Sequence, residues 1–173
     1  MHSIRGSLIA VALIASSLLF SPSPSQAAPG DLTCTENESV SYSPGLLTTR
    51  RSVDVSVDNV LSCTSLTDPA VTGGRVRAVV RGLDRSCTDL AASGSGSYTI
   101  TWNTGETSTI GYTRSANYVL GTLVIVESGT VTAGKFTGDS VTHVVELLNL
   151  NLLACLSEPG LTAASGIGTY LFA

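Results

Sequence analysis

Residues 97–113 read SYTITWNTGETSTIGYT, and this stretch decides the fold class. Tyr98, Ile100 and Trp102 alternate with threonines, which is the period-two pattern of a strand that is apolar on one face. The Asn-Thr-Gly-Glu that follows has the composition of a turn, and residues 107–113 alternate again. The stretch therefore predicts a β-hairpin.

The same alternation recurs on both sides of this hairpin, whereas no long helical pattern does. The leucine-rich stretch 147–153 also alternates and is predicted to be a strand, and Asp84 is expected to cap one helical turn within 83–92. About eight strands without βαβ units predict an antiparallel β-sandwich of the Greek-key or immunoglobulin-like type. The further predicted strands are 51–58, 75–81, 118–127, 140–148 and 167–172.

The amino terminus predicts export. After a short basic start, residues 7–20 are uncharged and apolar, and small residues at Ser25 and Ala27 fit a signal-peptidase site. The apolar stretch of about 14 residues is shorter than the roughly 20 that span a bilayer, so a retained anchor is disfavoured. We expect a signal peptide over 1–27 and a single β-sandwich domain over 28–173, secreted and extracellular.

Cleavage after Ala27 leaves 8 basic and 13 acidic residues, a net charge of −5. An acidic surface repels nucleic acid and anionic lipid, whose binding depends on basic patches. The composition therefore disfavours a nucleic-acid or membrane-surface partner.

The four cysteines predict two disulfides, because an even number of cysteines in an exported chain is typical of an oxidising compartment. There is no C-x-x-C spacing, so neither a zinc site nor another metal or cofactor site is predicted. Three connectivities are open, and we prefer Cys34 with Cys63 and Cys87 with Cys155.

A hydrolytic site would need a base or paired carboxylates. His143 is the only histidine after the signal peptide and no G-x-S-x-G motif accompanies it, so a structural strand histidine is the favoured interpretation. The carboxylate pairs Glu36 with Glu38 and Asp54 with Asp58 are expected to solvate the outer faces of strands. A secreted hydrolase that uses these carboxylates or His143 is the alternative.

Two further features suggest binding. Tyr98, Trp102 and Tyr112 could form an aromatic ligand face for a carbohydrate, although packing of these rings in the core is favoured. Residues Asp84, Arg85 and Ser86 precede Cys87 and could form a disulfide-held protease-inhibitor loop.

Several turn motifs carry a resemblance. The stretches WNTGETS at 102–108, SG at 128–129, GKFTG at 134–138 and YSPGL at 42–46 resemble those of small secreted actinobacterial β-sandwich proteins of unknown function. The resemblance implies a secreted β-sandwich from a high-GC Gram-positive bacterium, and it implies no particular activity. The sequence as a whole predicts a non-catalytic binding or structural protein whose partner is an extracellular protein or a carbohydrate.

Overall fold

The structure is a computed structural model that describes residues 31–173, so the predicted signal peptide over 1–27 lies outside the described residues. Residues 31–173 form eight strands and two short 3-10 helices. The helices are Cys87–Ala91 and Leu152–Leu156. The strands are β1 (Leu32–Leu46), β2 (Arg51–Ser65), β3 (Gly73–Arg85), β4 (Gly94–Trp102), β5 (Thr107–Val119), β6 (Thr122–Gly134), β7 (Ser140–Leu147) and β8 (Leu161–Phe172).

The eight strands form a closed antiparallel barrel in which each strand pairs with its neighbours in the chain and β8 pairs with β1. The closing ladder runs from Leu32 opposite Phe172 to Ser41 opposite Ala163, with a further pair at Leu46 and Leu161. The predicted two-sheet sandwich was therefore wrong. A half-buried strand has the same period-two pattern in both architectures, which differ in the order of their strands and in whether the two terminal strands pair.

Three local predictions also need correction. The stretch predicted as one strand at 118–127 reverses direction at Leu120 and Gly121, so it contributes to both β5 and β6. The leucine-rich stretch 147–153 is not a strand, because β7 ends at Leu147 and a 3-10 helix follows. The helical turn after β3 is capped by Ser86 rather than by Asp84.

Other predictions are confirmed. The chain is all-β, and the turn at 103–106 joins β4 to β5 as a hairpin. The two disulfides join Cys34 to Cys63 and Cys87 to Cys155. Cys34 and Cys63 lie directly opposite each other on β1 and β2, while Cys87 to Cys155 ties one 3-10 helix to the other.

The barrel interior has an apolar cluster at each end. One cluster surrounds Trp102, Tyr170 and Phe172, and the other surrounds Leu123 and Leu147. Several strands contribute residues to both clusters; β1, for example, contributes Leu32 to one and Leu46 to the other. The inward-facing residues between these positions form a middle layer of the interior. This middle layer contains the polar residues described below.

The wall of the barrel is not equally tight all round. Within the described residues β3 and β4 form three residue pairs, from Gly74 opposite Trp102 to Val76 opposite Ile100. Beyond that point the rest of β3, residues 77–85, has no ladder to β4. We call this stretch of the wall the β3–β4 seam.

Among residues 31–173, no helix has both the length and the apolar character needed to cross a membrane.

One glycine makes a close backbone approach possible. Gly129 on β6 packs against Gly111 on β5, and a Cβ at position 129 would overlap the carbonyl oxygen of Gly111. Gly94, by contrast, has open space around its Cβ position.

We therefore predict that Gly129→Ala lowers the free energy of unfolding by about 1–3 kcal/mol, since the backbone must shift to relieve the overlap. Gly94→Ala serves as the control and should change it by less than about 0.5 kcal/mol. Urea unfolding followed by circular dichroism measures both. Equal effects of the two substitutions would contradict the prediction.

Candidate ligand-binding cavity

The polar layer inside the barrel begins with two glutamates of β1. Glu36 and Glu38 have the same parity as Leu32 and Cys34, so all four point inward, and Glu36 is buried. The expectation that Glu36 and Glu38 solvate an outer face was therefore wrong. Glu36 fits inside because Gly168 is its direct partner on β8, and a Cβ at position 168 would overlap the Glu36 carboxylate.

His143 on β7 lies between two carboxylates in the barrel interior. Its Nδ1–H donates to Oε2 of Glu127 at 3.0 Å, and its Nε2–H donates to Oε1 of Glu36. The imidazole also stacks on the ring of Tyr170, with centroids 3.8 Å apart and planes 6° apart. Burial alone would lower the pKa of His143, but the hydrogen bonds and charges of Glu127 and Glu36 outweigh it and raise the pKa to about 9. His143 is therefore an imidazolium at neutral pH.

Asn59 on β2 connects the two glutamates of β1. Its Nδ2 donates to Oε2 of Glu36 at 3.3 Å and to Oε2 of Glu38, and its Oδ1 accepts the backbone N–H of Ser39 at 3.3 Å. Burial, and next the neighbouring charge of Glu36, raise the pKa of Glu38 to about 7. The Glu38 carboxyl therefore changes charge near neutral pH.

A cavity of about 360 Å³ adjoins this polar layer. Glu38, Asn59, Glu127 and His143 line one part of it. Tyr98 and three further tyrosines also line it, and the Tyr98 hydroxyl is buried with no hydrogen-bond partner among residues 31–173. Apolar lining side chains include Val55, Val57, Val76, Ala78, Ile125 and Val145. The cavity thus combines an apolar wall with a few polar groups that can bind a ligand.

Two arginines stand near the rim of the cavity. Arg114 on β5 donates to the backbone carbonyl oxygen of Leu90 at 2.7 Å, which fixes it against the first 3-10 helix. Arg85, at the end of β3, is exposed and lines both the main cavity and a smaller adjoining depression with Arg114. The rim is therefore cationic, whereas the inner polar layer is rich in carboxylates.

The predicted aromatic ligand face is split by the barrel. Trp102 is buried in one apolar cluster, where its Nε1–H donates to Oγ of Ser108 at 2.8 Å. Tyr98 and Tyr112 line the cavity instead, with ring centroids 5.3 Å apart. The three rings do not form an exposed platform.

The residues proposed for an inhibitor loop do not protrude together. Asp84 and Arg85 belong to β3 and pair with Ser52 and Arg51 of β2. Ser86 is buried at the start of the first 3-10 helix.

The second carboxylate pair lies on the outside of the barrel. Asp58 accepts from Nη2 of Arg75 at 2.5 Å, and Asp54 pairs with Arg81 at 3.2 Å. These ion pairs are solvent-exposed and contribute little to stability.

Sequence reasoning missed Glu127, Asn59 and Tyr42 as cavity residues. Strand parity is the signal that could have identified the acids. Glu127 shares the face of the buried Leu123, just as Glu36 shares that of Leu32. A charged residue in phase with core positions is an indication of an internal polar site.

No protein-family model, curated protein or solved structure matches this chain. Within residues 31–173, no group of three or more histidine, cysteine, aspartate or glutamate side chains is arranged to hold a metal ion. The geometry of the cavity therefore carries the functional argument by itself.

We predict that His143→Gln lowers the free energy of unfolding by about 3–5 kcal/mol, because two buried carboxylates lose their cation. Thr142→Ala, an exposed neighbour on β7, is the control and should have an effect below about 0.5 kcal/mol. Urea unfolding at pH 7 measures both. A loss below about 1 kcal/mol in His143→Gln would show that the imidazolium does not hold these carboxylates in place.

Stability should also fall as pH rises. The pKa of Glu38 in the folded protein, about 7, exceeds its ordinary value of 4.5. Ionisation of Glu38 therefore favours the unfolded state, and the free energy of unfolding falls as pH rises from 4.5 to 7. The raised pKa of His143 gives stabilisation that is complete below pH 6.5 and is lost as pH rises through about 9. The free energy of unfolding should therefore decrease from pH 4.5 to pH 9.

Glu38→Gln should remove the part of this decrease below pH 7, up to about 3 kcal/mol, and leave the part above it. Glu146→Gln, which removes an exposed carboxyl of β7, should leave the wild-type profile unchanged. Urea unfolding at pH 4.5, 7 and 9 gives the three profiles. A wild-type profile that rises with pH would contradict the assigned direction.

Proposed function

We propose that this chain is a secreted, non-catalytic protein that binds one small, largely apolar molecule inside its barrel. The cavity of about 360 Å³ is the observation that carries this proposal. Its volume lies in the range of roughly 300–1,000 Å³ that is typical of small-molecule sites, and its lining is mainly apolar and aromatic with a few polar groups. An extracellular small molecule fits this cavity better than a protein or a flat carbohydrate surface does.

The β3–β4 seam supplies the route of entry. Ala78 and Val80 of β3 and Ser97 of β4 line the cavity in the part of the wall where these strands form no ladder. A ligand can pass between the strands there without breaking a hydrogen-bonded ladder. The other pairs of neighbouring strands in this barrel are joined by longer ladders and offer no such gap.

Two independent features support secretion. The apolar stretch at 7–20 and the small residues before position 28 have the order of a signal peptide. The four cysteines are all paired in disulfides, which fits an oxidising compartment.

The geometry favours binding over hydrolysis by His143. Both ring nitrogens of His143 are occupied by carboxylates, and its side chain is 5% exposed. A general base needs a free nitrogen within reach of a substrate proton, and His143 does not offer one. Glu36 is equally inaccessible, since its side chain is fully buried beneath Gly168.

Binding can be tested with N-phenyl-1-naphthylamine, an uncharged apolar dye whose fluorescence increases in apolar surroundings. We expect a saturable increase with one dye per protein. Ala78→Trp should weaken dye binding at least about ten-fold, because the indole fills the cavity, corresponding to about 1.4 kcal/mol. Val79→Trp is the matched control, since Val79 is the outward-facing neighbour on β3.

Circular dichroism and thermal unfolding establish that both tryptophan variants fold. Saturable binding that Ala78→Trp weakens and Val79→Trp preserves supports the cavity as the binding site. Unsaturable fluorescence, or equal binding by the two variants, would overturn the proposal.

A further inference from the structure

The charges of the polar layer are unequally compensated. The imidazolium of His143 pairs with Glu36 and Glu127, so one cation serves two carboxylates. Glu38 has no cation within salt-bridge distance among residues 31–173, and its hydrogen-bond partner there is the neutral amide of Asn59. Glu38 also lines the cavity, whereas Glu36 does not. The inner end of the cavity thus offers an uncompensated carboxylate to whatever occupies it.

Tyrosine rings surround the same space. Tyr42, Tyr98 and Tyr112 line the cavity, and the last two rings are tilted by 46° at a centroid distance of 5.3 Å. Tyr42 lies on the same inward face of β1 as Glu38, and burial, and next the charge of Glu38, raise its pKa to about 12. The faces of aromatic rings attract cations, and rings beside a carboxylate form a favourable site for an ammonium group. The unpartnered Tyr98 hydroxyl supplies a further acceptor.

We propose, on the basis of the small-molecule function argued above, that the ligand is a protonated organic amine. Its nitrogen binds at the carboxylate of Glu38 and its apolar part lies among the tyrosines and valines of the cavity. The ammonium supplies a cation at Glu38, so binding compensates the Glu38 carboxylate whenever that group is ionised.

The two arginines at the rim would favour a ligand of the opposite charge. Arg85 and Arg114 line the cavity beside the first 3-10 helix, and Arg114 is held there by Leu90. A carboxylate ligand would bind at these guanidinium groups rather than at Glu38. Matched ligands that differ in one charged group therefore distinguish the two ends of the cavity.

Isothermal titration calorimetry with phenethylamine, 2-phenylethanol and 3-phenylpropionate provides the test, since the three share one ring. At pH 8 we expect the amine to bind at least about ten-fold more tightly than the alcohol. The carboxylate should bind more weakly than either. Equal binding of amine and alcohol, or tightest binding of the carboxylate, would overturn the amine assignment.

The preference for amine should depend on pH through Glu38. Its pKa of about 7 means that affinity for phenethylamine should fall roughly ten-fold per pH unit below that value. Alkylammonium groups, like that of lysine, stay protonated between pH 5.5 and 8. Binding of 2-phenylethanol should not follow this dependence.

His143 and the tyrosines around Glu38 keep their charge state over this range. The pKa of His143 is about 9, so it stays protonated, and the surrounding tyrosines stay neutral because burial raises their pKa values. The charged or titratable groups facing this region are Glu36 and Tyr42 on β1, Arg85 on β3, Asp89 in the first 3-10 helix, Tyr98 on β4, Tyr112 and Arg114 on β5, Glu127 on β6, His143 on β7 and Tyr170 on β8.

Glu38→Gln should abolish both the amine preference and its pH dependence, because an amide carries no negative charge at any pH of the series. Glu146→Gln, an exposed carboxyl on β7, should behave like the wild type. Circular dichroism and thermal unfolding establish that Glu38→Gln folds. An amine preference that survives in Glu38→Gln would overturn the assignment of Glu38.

The outcomes separate the two proposals. Dye binding without amine preference would refute the amine ligand and leave the binding function standing. Failure of the dye and of all three phenyl ligands to bind would refute the binding function itself.

Discussion

The pairing of one buried imidazolium with two buried carboxylates is the interaction on which the interior of this barrel depends. Glu36 and Glu127 place carboxyl groups inside the barrel, where such groups need a hydrogen-bonded partner. His143 on β7 supplies it, because it lies directly opposite Glu127 on β6 and two strands from Glu36 on β1. Because these groups must keep their hydrogen bonds, the apolar clusters at the two ends cannot merge into a single core. The middle of the barrel stays polar, and an internal cavity remains beside it.

The same interaction sets the chemistry of that cavity. His143 is fully engaged by its two carboxylates, and the remaining acid, Glu38, is left with a neutral amide partner. Polar interiors that are fully paired confer structure, whereas an incompletely paired group is available to a ligand. The barrel thus contains a fully paired ion cluster, which holds the strands together. Beside it lies the carboxyl group of Glu38, at which we propose that a positively charged ligand binds.

Sequence patterns identified the β class and the hairpin at 103–106, because alternation and turn composition are local signals. The even number of cysteines predicted two disulfides, but their pairing was a preference among three connectivities, and the structure confirms it. The patterns could not distinguish a sandwich from a barrel, since closure depends on β1 meeting β8, and the pairing of Leu32 with Phe172 has no local signature. The leucines after Leu147 alternate like a strand but follow the end of the β7 ladder. Glu36 and Glu38 were misassigned because their charge was given more weight than their parity with Leu32, and Glu127, which is in phase with Leu123, was missed.

The seam between β3 and β4 has a consequence for self-association. Where the ladder stops, β3 presents backbone N–H and C=O groups as a sheet edge does, and such an edge can recruit a strand from another molecule. This stretch of β3 carries Arg77, Arg81 and Arg85, all of them exposed. Charged side chains along an exposed edge hinder edge-to-edge docking, so those on β3 oppose intermolecular β-sheet growth at the seam.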